Sequence, residues 1–211
     1  MGLLANTFAV ETFLDELATK AGKDPVEYRL KQTLDDERGI RLKAVIKACA
    51  DKAGWGKTLP AGRAMGFAAC TDANTPCAQV AEVSIEDEGY GKYIKVHKVT
   101  CAIDPGIVIN PDSVRAQCEG AIIMGLSASL FEKMEIKDGK IGPTIYGAYK
   151  MATMRHAPKE IDVVLLEGAE KPSGVGEPPL GPIGAAIANA VYQLTGQRLR
   201  EMPFKLSTKN H

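Results

Sequence analysis

The spacing of apolar positions along the chain changes from helical to alternating at one place. In NTFAVETFLDELATKAGKDP, Phe8, Val10, Phe13, Leu14 and Leu17 recur at helical spacing, Asn6 or Thr7 is placed to cap the start, and Gly22 to close the end. Asp24-Pro25 restarts a second helix through about Leu34, and a third runs from Ile40 to Ala53, stopped by Gly54. The segment GWGKTLPAGRAMG, with four glycines and a proline, is the best internal boundary. Beyond it, CAQVAEVSIED and KYIKVHKVTCAID alternate on either side of Glu88-Gly89-Tyr90-Gly91, which predicts a β-hairpin in which Ala78, Val80, Ala81 and Val83 compete for the inner face. Residues 64–70 offer a third strand. DPGIVINPD is a turn that feeds a helix from Pro111 to about Leu130, capped by Asn110. Two more strands are expected near 131–137 and 160–166, and a last helix from about Pro182 to Leu194 ends at Gly196. The order predicts an α+β chain with a mainly antiparallel sheet and packed helices.

Composition narrows the function classes. With 211 residues, 45% hydrophobic and 25% charged, the chain is long enough for one good core or two small ones. Lys+Arg and Asp+Glu both number 26, without a run of one sign, which argues against nucleic acid as a partner. No stretch approaches the roughly 18 apolar residues of a membrane span, and no export signal opens the chain, so membrane insertion is not expected and the expected compartment is the cytoplasm. The five cysteines lack a CxxC pair and read as reduced core thiols. His97, His156 and His211 have no metal-ligand spacing, and His97 reads as an outward hairpin residue, so no side-chain metal site is expected. Serine-hydrolase, dinucleotide and P-loop motifs are missing.

Two segments carry candidate chemistry. Between Lys171 and Arg198 the only charge is Glu177, set between Gly176 and Pro178 before an apolar, glycine-rich helix. The glycines permit close approach by another molecule, the prolines stiffen the other side, and a carboxylate held away from water is suited to general-base work. Equally open is a plainer role, in which Glu177 complements the positive end of the helix that follows, worth roughly 0.3–1 kcal/mol. On the helix NPDSVRAQCEGAIIMGLSASL, Gln117 shares a face with Gly120, Ala121 and Met124, so its amide projects beside small residues where a flat polar ligand fits. A buried Gln satisfying nearby backbone is the alternative. Arg115 and Glu119 read as an i,i+4 ion pair.

Taken in order, AQVAEVSIED, KVHKVTCAIDPGIVINPDSVRAQCEGAIIMGLSASLFEKM and GVGEPPLGPIGAAIANAVYQLTGQRLREMPF resemble the C-terminal end of the molybdenum-binding large subunit of the xanthine oxidase family. The similarity is to the branch of isoquinoline 1-oxidoreductase beta subunits and of nicotinate and aldehyde dehydrogenases. It covers nearly the whole chain, and GVGEPP together with QCEGA makes it specific. The resemblance implies residues 1–60 as a helical segment following the cofactor-binding half of the subunit, and residues 61–211 as an α+β molybdopterin-binding C-terminal domain. It implies a molybdenum-dependent oxidoreductase that hydroxylates an N-heteroaromatic or aldehyde substrate with water. Glu177 would be its general base; Gln117 and the Gly176 backbone would contact a molybdenum-pterin cofactor, as molybdopterin or its cytosine dinucleotide form. Family subunits are longer, so the implied partners are the upstream half of the large subunit, which shares the cofactor, a [2Fe-2S] small subunit and a small-molecule substrate. The chain is then a fragment or split subunit, inactive alone; a non-catalytic scaffold or assembly module derived from such a subunit is the competing reading.

Overall fold

The fold, described for residues 2–87, 89 and 91–207, comes from a computed structural model. Helix α1 (Leu3–Lys20) begins earlier than the sequence suggests, with Gly2 rather than Asn6 or Thr7 at its N-cap. Its inward stripe is polar: Thr7, Glu11, Thr12 and Asp15 are buried beside Phe8 and Ala18, whereas Val10 and Phe13 are 56% and 55% exposed. The cause is a buried network. The Glu11 Oε2 accepts from Arg29 Nε at 2.8 Å and from the Ala69 N–H at 2.7 Å, and Arg198 donates to Asp15 at 2.6 Å. Helix α2 (Pro25–Gln32) is capped by Asp24, which accepts from the amides of Val26 and Glu27, and α3 (Glu37–Ala53) is capped by Asp36, one turn ahead of Ile40.

Strands β1 (Arg63–Asp72), β2 (Thr75–Asp87) and β3 (Lys92–Ile103) form an antiparallel meander, and β6 (Glu160–Leu165) adds to β3 in parallel, giving the order β1-β2-β3-β6. In the turn between β2 and β3, Glu88 and Tyr90 lie outside the described residues, as does His211 at the end of the chain. The four residues expected to compete for one face are all buried, because helices cover both faces. Cys77, Ala81 and Val83 join the core under α5 (Leu180–Thr195) and α4 (Pro111–Leu130), while Ala78 and Val80 join Phe67 in the core under α3. The α4 bounds agree with the sequence reading, and its Asn110 cap accepts from the Ser113 N–H. The strand expected near 131–137 shortens to β4 (Glu135–Lys137), paired with β5 (Lys140–Gly142) in a small separate hairpin.

His97 is not an outward hairpin residue. The register shifts between Glu82 and Val83 from partner Lys98 to partner Val96, so His97 is the extra residue of a β-bulge. Its side chain is 11% exposed, with Nε2 2.8 Å from Ser84 Oγ. Four cysteines are buried and Cys70 is partly so; all five are free thiols. Burial pushes the Cys49 and Cys70 thiols up to about 12, which keeps them in the unreactive form.

Candidate cofactor and base site

The parallel pairing of β3 with β6 is what brings the two chemical segments together. Both strands exit at the same end of the sheet, and the segments that follow stay joined: Leu166 N–H donates to Ile103 O, Ile107 N–H to Glu170 O, and Ser173 N–H to Pro105 O at 2.9 Å. The turn at Asp104 is pinned from the opposite face. Asp104 Oδ2 accepts from Arg41 Nε at 2.8 Å, and its Oδ1 accepts from the Gly106 N–H at 2.9 Å. Burial alone would raise the Asp104 carboxyl, but the Arg41 and Gly106 hydrogen bonds and the Arg41 charge outweigh it and hold the group below its ordinary value.

From this junction one segment continues into α4 and the other into the glycine- and proline-rich loop before α5. The loop carbonyls are held from beneath by buried side chains. Thr75 Oγ1 lies 2.7 Å from Gly174 O, Gln79 Nε2 donates to Pro179 O at 2.6 Å, and the Cys70 thiol is 3.5 Å from Pro178 O. Helix α5 is itself seated close: a Cβ on Gly66 would stand 2.1 Å from Ala186 O, and one on Gly125 of α4 would stand 2.4 Å from Ile183 Cγ2. The glycines that opened the helix sequence serve the same packing, since a Cβ on Gly184 would meet Ser129 Oγ at 2.7 Å.

The result is an approach between Gln117 and Gly176. A Cβ on Gly176 would lie 3.8 Å from Gln117 Oε1, so the amide stands beside the residue preceding Glu177, across the space its missing side chain leaves. Gln117 is exposed on the outward face of α4 with Gly120 and Met124, and its side chain makes no hydrogen bond to a described residue; the buried, satisfied Gln is thereby set aside. Glu177 is half-buried. Its carbonyl accepts from the Leu180 N–H at 2.8 Å, no side chain caps α5, and its carboxylate has no hydrogen-bond or ion-pair partner among the described residues. Arg115 pairs with Asp112 at 3.6 Å rather than with Glu119. Among the described residues no group of three or more His, Cys, Asp or Glu is arranged to hold a metal ion, and no helix is long and apolar enough to cross a membrane.

Sequence reasoning missed the support beneath the loop. Gln79 carried a signal, as the one polar side chain among the positions of CAQVAEV that alternate with Cys77, Ala81 and Val83; Thr75, Cys70 and Ser173 carried none. Two cavities, one of about 600 Å³ beside β3 and one beside the β4–β5 hairpin, are lined by other residues.

The architecture is that of molybdenum hydroxylase large subunits. Aldehyde oxidoreductase from Desulfovibrio gigas superposes over 92% of this chain and 39% of its own, with a TM-score of 0.68 at 17% identity, a likeness of fold alone. Quinoline 2-oxidoreductase from Pseudomonas putida 86 matches 58% of this chain and 16% of its own, with a TM-score of 0.52 at 25% identity. Residues 5–158 match the family model for the molybdopterin cofactor-binding domain. The chain belongs to this family, the molybdenum-binding part of xanthine oxidase-type oxidoreductases. The beta subunit of isoquinoline 1-oxidoreductase from Brevundimonas diminuta is 35% identical over 97% of this chain and 26% of its own length. A nicotinate dehydrogenase subunit from Pseudomonas putida is 37% identical over 95% of this chain and 18% of its own. A membrane-bound aldehyde dehydrogenase of Gluconacetobacter polyoxogenes, whose name specifies pyrroloquinoline-quinone, is 37% identical over 94% and 27%. The chain thus spans between 18% and 27% of the length of these relatives.

Proposed function

We propose that this chain forms one wall of the catalytic centre of a molybdenum hydroxylase, with Glu177 as the general base and Gln117 and Gly176 against the pterin of the cofactor. The observation that carries the reading is the meeting of an unpaired, exposed amide with the backbone of Gly176, one residue from an unpaired carboxylate. These residues fit such a group. The Gln117 amide offers both donor and acceptor to a pterin edge, Gly120 one turn on has nothing within 4 Å of its missing Cβ, and Gly176 is exposed.

When bound, the cofactor supplies the two-electron oxidation of the substrate carbon. The net change is R–H plus water to R–OH, two electrons and two protons. Glu177 takes one of those protons on a carboxylate oxygen as the oxygen of water becomes a nucleophile, and passes it to solvent. Its loop keeps the Glu177 backbone in place because the carbonyls on both sides are tied to Thr75, Cys70 and Gln79, so the base is presented from a fixed segment of chain. The substrate is an electron-poor heteroaromatic or an aldehyde, the upstream part of the large subunit completes the cofactor site, and a [2Fe-2S] subunit removes the electrons. The names of the relatives, which specify isoquinoline, nicotinate and aldehydes, support this assignment.

The binding half of the reading is tested by Gln117→Ala in the assembled enzyme. Loss of a hydrogen bond of about 1 kcal/mol weakens cofactor retention by roughly fivefold, so molybdenum per subunit falls while turnover per bound molybdenum is preserved. Unchanged metal content after extended dialysis would refute the contact.

A further inference from the structure

The cavity of about 600 Å³ beside β3 shares no residue with Gln117, Gly176 or Glu177. It lies within the volume range of small-molecule sites. Its apolar wall includes Phe131, Phe204 and Leu206, with the Phe131 ring 4.6 Å from that of His156 and the Phe204 ring 5.5 Å from that of Phe8. Its polar lining has a single sign. Lys92, Lys95, Arg155 and Lys159 line it and, among the described residues, no carboxylate does. Lys95 is occupied by Glu86 at 3.0 Å, whereas Lys92, Arg155 and Lys159 are exposed and make no ion pair with a described residue.

The two histidines that face the cavity do not add to this charge. Burial lowers both, helped at His97 by Arg63 and at His156 by Arg155, so near neutral pH they are uncharged. The His156 Nδ1 accepts from the Thr153 N–H at 2.9 Å, which leaves its proton on Nε2. The ring is thereby fixed as a flat wall against Phe131. An apolar, aromatic-walled hollow with three cations uncompensated by any described residue complements a molecule with a flat apolar body and one negative end, since each part alone would leave either the rings or the cations unmatched.

From this arrangement we propose that the cavity between β3, the end of α4 and the C-terminal segment is a binding site for a small aromatic anion. Arg155 and Lys159 hold the anionic end, and Phe131, His156 and Phe204 hold the ring.

The test uses the full chain with 2-naphthalenesulfonate, which is anionic at every pH used, and 2-naphthylmethanol as its neutral counterpart, followed by heteronuclear NMR. The sulfonate is expected to bind about 10-fold tighter than the alcohol, the scale of one charge-assisted hydrogen bond, with shifts at the amides of Phe131, His156 and Phe204. Exchanging the two exposed cations in Arg155→Glu/Lys159→Glu removes that preference and leaves the alcohol's affinity within twofold. Equal affinities for the two probes, a preference that survives the double substitution, or shifts confined to the Gln117 face of α4 would overturn the assignment. Shifts caused only by a protein segment packing into the cavity, with no displacement by the sulfonate, would overturn it as well.

Discussion

Replacing Gly125 by Ala on α4 separates two effects that the structure sets against each other. In the interior of a helix the change favours the folded state by about 1 kcal/mol through propensity. The added Cβ, however, would stand 2.4 Å from Ile183 Cγ2 and 3.1 Å from Leu180 O. Ordinary carbon contacts begin near 3.5 Å, so α4 and α5 must part by about 1 Å. Ile183 is fully buried and β-branched, so its methyl has no free rotamer to turn into. Overpacking of this kind costs about 1–3 kcal/mol, which leaves a net loss of about 1 kcal/mol. Gly120→Ala on the same helix is the matched control: nothing lies within 4 Å of its Cβ, so it keeps the propensity gain. The two variants should differ by about 2 kcal/mol, or about 4–8 °C in Tm for a chain of this size. Thermal unfolding followed by circular dichroism measures the difference. A Gly125→Ala protein that melts at or above Gly120→Ala would show that α5 is not seated on α4 as described, and with it the approach of Gly176 to Gln117.

Removing Arg29 leaves the buried Glu11 without its cation, so that it must take up a proton or carry an unpaired charge, and Arg29→Ala should cost about 3–5 kcal/mol in chemical denaturation; a loss under about 1 kcal/mol would show that the pair is solvated. The pH response of Asp104→Asn follows from the lowered native pKa of the carboxyl. The stability contributed by Asp104 is complete above the ordinary carboxylate value near 3.8 and is lost as pH falls through the lower native value. At pH 7 the substitution should cost about 2 kcal/mol, the scale of a hydrogen bond to a charged group, and the gap to the parent should begin to narrow as pH falls below the ordinary carboxylate value; a gap constant from pH 7 to pH 3 contradicts the Arg41 contact.

The elements set by local pattern were legible in the sequence. Asn110-Pro111 marks the start of α4, Asp24-Pro25 that of α2 and Gly196 the end of α5, because capping chemistry depends on a few adjacent residues. Misreadings arose where distant partners decide. Val10 and Phe13 belong to the apolar positions whose spacing marks α1, yet both are exposed, because Arg29 and the Ala69 amide turn Glu11 inward instead. The alternation of β2 suggested one buried face, yet a sheet covered by α3 on one side and α5 on the other buries both. Glu177 and Gln117 stood out by residue type and setting. The approach of Gln117 to Gly176 was implied only by the family resemblance, because it depends on β6 joining β3 in parallel, a pairing of segments about sixty residues apart that periodicity does not encode.

The base assignment is tested most directly by Glu177→Gln in the assembled, molybdenum-loaded enzyme. The amide keeps the size of the side chain and its hydrogen-bonding capacity but does not accept the proton. Metal content should match the parent, while single-turnover reduction of the enzyme by substrate slows by at least about 10²-fold, the lower end of general-base contributions. Reduction at the parental rate with full metal content would contradict the account and leave Glu177 a loop residue without a chemical role.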